Sequence, residues 1–205
     1  MKNRILRAIA AAFMSIKAGA LSAAGVAEDA LGAGREMLGA VAEQIHAPRF
    51  RYDLECVGAD GQVKWRETFF NLVTTVGKND LLTQYFKGSS YTAAWFVGLV
   101  DNAGFSAIAA GDTMASHAGW TESVAYSNAT RPALTLGTAS AGSIDNSASK
   151  ASYTINATAT INGAFCNTVN TKSGTTGTLY SAGSFGAPRS VINGDTLNVQ
   201  VTLTV

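Results

Sequence analysis

The sequence predicts a mainly β protein: an antiparallel β-sandwich or jelly-roll-like domain with one short helix, preceded by an N-terminal α-helical arm. Three observations carry that expectation. After residue 49, apolar residues recur at every second position over several segments, the period of a half-buried strand. Before that point they recur at intervals of three and four, the period of a helix face. The C-terminal half is poor in charge and rich in Thr, Ser, Ala, Asn and Gly, a composition of short strands alternating with polar turns.

In the arm, Ile5, Ile9, Phe13 and Ile16, and further on Leu38, Val41 and Ile45, form helical stripes. These seven are the candidate interaction residues. Between the stripes stand Gly19, Gly25, Gly32, Gly34 and Gly39. Glycine costs a helix interior about 1 kcal/mol relative to alanine, so the arm is expected to need a partner surface. Lys2, Arg4 and Arg7 ahead of the apolar run resemble a leader, but Lys17 interrupts the run. No stretch reaches the roughly 18 apolar residues of a membrane span. The segment therefore reads as an amphipathic assembly arm rather than a leader or a membrane anchor. Pro48 ends the helical pattern, because the residue before a proline is pushed out of the helical region. The division is an arm at 1–48 and a β domain at 49–205.

Within the β domain, Tyr52, Leu54 and Cys56 alternate with Arg51, Asp53 and Glu55, and Val63 and Trp65 continue the pattern after Asp60-Gly61. This reads as a hairpin closed by a type I′ turn. Asn79 is expected to cap a short helix with Leu81, Leu82, Tyr85 and Phe86 along one side and Gly88 as its stop. "TAAWFVGLV" is an apolar run of strand length, as expected of a strand buried on both faces. Further strands are expected at 131–137, 151–156, 159–168 and 177–182. The last, "TLNVQVTLTV", alternates without a break, with Gly194-Asp195 as the turn before it. Threonine-rich sheets with uncharged edges tend to pair with other chains, which points to life in an assembly.

Charge and cysteine content exclude several functions. Fifteen basic and fourteen acidic residues leave a net charge of +1, so no global field gathers polyanions and nucleic acid is not an expected partner. Cys56 and Cys166 lie in strand-like segments and are expected to be free, buried thiols.

The densest chemistry is "GDTMASHAGWTE", with Asp112, His117, Trp120 and Glu122. Asp112, His117 and Glu122 offer metal donors, but no second histidine stands near and no His-Glu-x-x-His pattern occurs. Ser116 adjoins His117 without the Gly-x-Ser-x-Gly frame of a nucleophile elbow. Asp101, Asp112 and Glu122 read as turn residues or caps rather than as the paired carboxylates of a glycosidase. The stretch is thus expected to be a loop joining two strands, anchored by Trp120. Arg131, in "NATRPAL", is the candidate second anchor, forming a two-point pair with one of the acids of that stretch, Asp112 or Glu122. No catalytic, cofactor-binding or metal-binding residue is expected.

Taken together and in order, "NLVTTVGKNDLL", "TAAWFVGLV", "DTMASHAGWTE", "ATRPAL", "SGTTGTLYSAGSF" and "VINGDTLNVQVTL" resemble a family of small β-rich virion structural proteins of tailed bacteriophages. The resemblance covers roughly residues 50–205. It implies a particle component rather than an enzyme, found in the virion after assembly in the host cytoplasm. A capsid decoration (cement) protein that binds the major capsid protein and stabilises the head is the first expectation. A homo-oligomer, a trimer where three capsid subunits meet, suits that role. The alternative is a tail, fibre or spike component whose arm anchors it while the β domain faces the host. The arm departs from the family's shorter pattern.

Overall fold

The computed structural model describes residues 48–86 and 94–204. The seven candidate arm residues and Gly88 lie outside these described residues. The elements are β1 (Arg49–Val57), β2 (Val63–Phe70), β3 (Leu72–Val73), α1 (Thr75–Phe86), β4 (Phe96–Asp101), β5 (Glu122–Ser123), β6 (Ser143–Asp145), β7 (Ala151–Thr154), β8 (Ala159–Asn167), β9 (Leu179–Val191) and β10 (Thr196–Thr204). They form two antiparallel sheets. In the first the order is β2-β1-β10, with β6 and β7 both paired to the far side of β10; in the second it is β3-β9-β8-β4-β5.

The period-two segments meet in register. Tyr52 faces Val201, Leu54 faces Val199 and Cys56 faces Leu197 across β1 and β10, and all six are buried. Directly opposed residues share a face, so both alternations point into the same core. Each of the Leu and Val side chains among them contributes about 1.5–3 kcal/mol on burial. From the second sheet Val97, Leu99, Ile161, Ala164 and Cys166 complete that core.

The second sheet is covered on its other face too. Val100, Met114, Trp120, Phe165, Leu179 and Ala182 form a separate buried cluster. Its cover is the connection at 102–121, which carries Met114 and Trp120. This double burial explains the unbroken apolar run of β4 and the seven successive buried residues that end β8.

Several local expectations are corrected. The β1–β2 turn is not type I′. Only Gly61 has a positive φ, 78°, while its N–H donates to Gly58 O at 2.9 Å and Gly58 N–H donates to Gln62 O at 2.8 Å. That is a type I turn followed by a left-handed glycine, which needs no positive φ at Asp60. The helix starts four residues before Asn79. Thr74 is its cap, accepting from Gly77 N–H at 3.1 Å while its hydroxyl donates to Leu179 O. Along the helix Leu81 and Leu82 are exposed, and the side chains of Tyr85 and Phe86 lie outside the described residues.

Residues 131–137 make no strand, only an isolated bridge between Phe96 and Ala133. Conversely, β9 runs well past residue 182. Its register against β8 slips between Ile161–Arg189 and Gly163–Ser184, and Pro188 falls in the bulge, where the ladder requires no N–H.

The β2 edge is charged and tied to the opposite sheet, unlike the bare edges the composition suggests. Trp65 Nε1 donates to Ser190 O at 2.9 Å, Arg189 donates to Glu67 at 2.6 and 2.9 Å, and Phe69 packs edge-on against Phe185 at 5.3 Å.

Candidate functional site

The connection 102–121 holds its shape through the side chains that looked chemically able. Asp112 Oδ2 accepts from Trp120 Nε1 and from Ala109 N–H, both at 2.9 Å. His117 Nδ1 lies 2.9 Å from Trp120 O. A carbonyl only accepts, so the proton sits on Nδ1. The imidazole stacks on the Trp120 ring at 4.0 Å, and Trp120 tilts against Phe165 at 5.1 Å. Trp120, 2% exposed, is therefore pinned from above by Asp112 and His117 and from below by the sheet. Asp101 is used separately, its Oδ1 accepting from Ala103 N–H at 2.7 Å.

Arg131 meets Glu122 in a two-point pair: Nε donates to Oε1 at 2.8 Å and an Nη to Oε2 at 2.7 Å. The side chains are 0% and 5% exposed. Two of the three remaining guanidinium donors go to Val169 O at 2.9 Å and Gly174 O at 3.2 Å, and the group lies over the Phe165 ring at 5.1 Å. Glu122 also accepts from Ser173 N–H at 2.6 Å. Beside them Lys172 donates to Tyr126 O at 2.8 Å and Asn128 O at 3.1 Å and caps the Tyr126 ring at 4.1 Å. Burial first, and the Glu122 charge second, push the Tyr126 hydroxyl well above its ordinary range. This centre joins the 122–131 segment to the 168–178 loop. Nothing in the sequence pointed Lys172 and Ser173 to this site, since "NTKSGTTG" has no period and no spacing that names a partner.

A second tie joins the β2 edge to the turn before β10. Asp195, 1% exposed, accepts on Oδ2 from Lys64 Nζ at 2.6 Å, Ile192 N–H at 2.9 Å and the Cys56 thiol at 3.5 Å. Burial raises the Asp195 pKa, but Lys64, the Ile192 amide and the thiol outweigh it and hold the carboxyl below the usual range. A depressed pKa adds stability above the unfolded-state value of about 4 and loses it as pH falls through the folded value. Asp195→Asn is therefore expected to lower Tm at pH 7, with the gap to wild type closing below about pH 4. Thermal melts across pH check this; a gap constant with pH would contradict it.

Cys56 and Cys166 are unpaired and buried. Burial pushes each thiol up to about 12, with the Asp195 charge adding to the effect at Cys56. A thiol reagent at pH 8 is expected to label neither in the native protein and both after unfolding, because the thiolate is the reacting species. Rapid labelling of the folded chain would contradict it.

Among the described residues no group of three His, Cys, Asp or Glu side chains is placed to hold a metal, and no helix is long and apolar enough to cross a membrane. Set against protein-family models, curated proteins and solved structures, the chain has no match.

Proposed function

We propose that this chain is a structural protein of a tailed-bacteriophage virion, a capsid decoration protein that binds the major capsid protein and stabilises the head. The observation that carries this reading is the use made of the 111–131 region. Asp112, His117, Glu122 and Arg131 are each spent on internal ties that stiffen the surface of the second sheet. That is the economy of a rigid building part. The motifs that resemble virion proteins, and an apolar arm in need of a partner surface, support the same reading.

In this reading the β domain is jelly-roll-like. The support is that the chain passes between the sheets after β2, β5, β7 and β9, and that β1 and β10 lie side by side. In the particle the arm runs along a neighbouring subunit, where buried apolar area contributes about 25 cal/mol per Å².

Densitometry of purified particles tests the role. Decoration requires on the order of hundreds of copies, whereas about three to twenty would assign the chain to the tail, a fibre or a spike. Deleting residues 2–46 is expected to release the protein from the head; full occupancy by the truncated form would reject the role given to the arm.

A further inference from the structure

A cavity of about 300 Å³ opens at one end of the two-sheet core. Its walls include Phe50 of β1, Tyr180 of β9, and Trp95 and Leu136 from connecting segments, and α1 adds Asp80 and Gln84. The rings pack on one another, Phe50 to Tyr180 at 5.2 Å and Trp95 to Tyr180 at 5.1 Å.

The polar groups of this lining are unbalanced. Gln84 Nε2 donates to Asp80 Oδ1 at 3.3 Å, which leaves Gln84 Oε1, a buried acceptor with no partner. Asp80 takes part in none of the ion pairs among the described residues. Among the described residues, then, the site presents an acceptor without a donor and a carboxylate without a cation, beside aromatic faces. A complementary ligand has an apolar body and a head that brings both a positive charge and hydrogen-bond donors. An ammonium group supplies three donors and no acceptor, and aromatic faces attract it. A carboxylate head would face the like charge of Asp80 and bring no donor to Gln84. At about 30 Å³ for each water-sized group, the space takes on the order of ten non-hydrogen atoms.

We infer that this cavity binds a small amphiphilic amine, its apolar body between the sheets and its ammonium on Asp80 and Gln84. The inference is independent of the virion reading.

Calorimetric titration of the full chain at pH 7 with octylamine, octanol and octanoate tests it. Octylamine is expected to bind saturably at one site, about ten-fold tighter than octanol, with octanoate weakest. Asp80→Asn, a change on the partly exposed side of α1, is expected to erase the preference of octylamine over octanol while leaving thermal stability unchanged. Leu136→Trp, which fills the space, is expected to abolish uptake of both. Should that variant fail to fold, Asp80→Asn decides alone. Equal affinity for octylamine and octanoate, or an unaltered preference in Asp80→Asn, would overturn the assignment. So would the absence of saturable uptake, which would mean that protein, from this chain or a second copy, already fills the space.

Discussion

Glu122→Ala is expected to cost the β domain about 3–5 kcal/mol, enough to leave a marginally stable fold largely unfolded. The cost arises at Arg131. Its side chain is wholly buried, and without Glu122 the guanidinium keeps two carbonyl partners but no counter-charge. A buried cation without an anion pays the full desolvation penalty, while the backbone carbonyls around it offer only dipoles. Ser173 N–H loses its acceptor in the same change, so the 168–178 loop loosens as well.

Arg131→Met should be comparably harmful, since it strands the carboxylate. The double replacement Glu122→Ala with Arg131→Met should cost clearly less than the sum of the two, because no uncompensated charge is left buried. Arg131→Lys restores the charge but not the planar two-point fork. Urea unfolding of the four proteins of the cycle measures this. A single-variant loss below about 1 kcal/mol, the scale of an exposed pair, would mean that the pair is solvated in solution.

Gly163→Ala is expected to lose about 3 kcal/mol, at the upper end of ordinary overpacking. Gly163 sits where β8 crosses the β9 bulge. A Cβ built there would overlap the carbonyl oxygen of Gly183 and stand 2.9 Å from Ser184 Cα and 3.0 Å from the Gly183 carbonyl carbon. All three obstacles are backbone, so no side chain can swing aside; the two central strands of the second sheet would have to part. Gly186, in the same bulge, meets nothing within 4 Å of its would-be Cβ. Gly186→Ala is therefore the control, expected within about 0.5 kcal/mol of wild type. Equal melting temperatures for the two variants would show that the β8–β9 crossing yields more easily than its packing implies.

Much of the strand content was legible because a sheet face repeats every two residues whatever it packs against. The inward faces of Tyr52, Leu54 and Cys56 in β1 and of Leu197, Val199 and Val201 in β10 were each readable from their alternation, and the structure joins these two faces across one register. The apolar run of β4 likewise announced a strand with no solvent side. Where a segment's state depends on who lies next to it, the pattern misled. "RPALTLG" alternates like a strand, yet the Leu134 and Gly137 amides donate to Trp95 O and Asp145 O, scattered partners that build no ladder. The helix cap moved to Thr74 because its hydroxyl reaches the carbonyl of Leu179, over one hundred residues later in the chain.

At the candidate site, the residue types foretold the kind of bond but not its partner. Arginine's fork suits any carboxylate, and a separation of 9 residues for Glu122 or 19 for Asp112 does not by itself choose between them. The fold chose Glu122 by placing it on β5 against Ser173 of the 168–178 loop, and gave Asp112 to Trp120 instead. The Lys64–Asp195–Cys56 tie was invisible for the same reason, its members being 131 and 139 residues apart.

By itself, then, the sequence determined the β class, the inward faces of the long strands and the burial of both thiols, because side-chain period and hydrophobicity act through each residue's own neighbourhood. Tertiary structure alone decided which acid met which base, where the helix began and which glycine could bear no Cβ. Hydrogen bonds and close packing are satisfied by geometry in three dimensions, and distance along the chain carries no record of it.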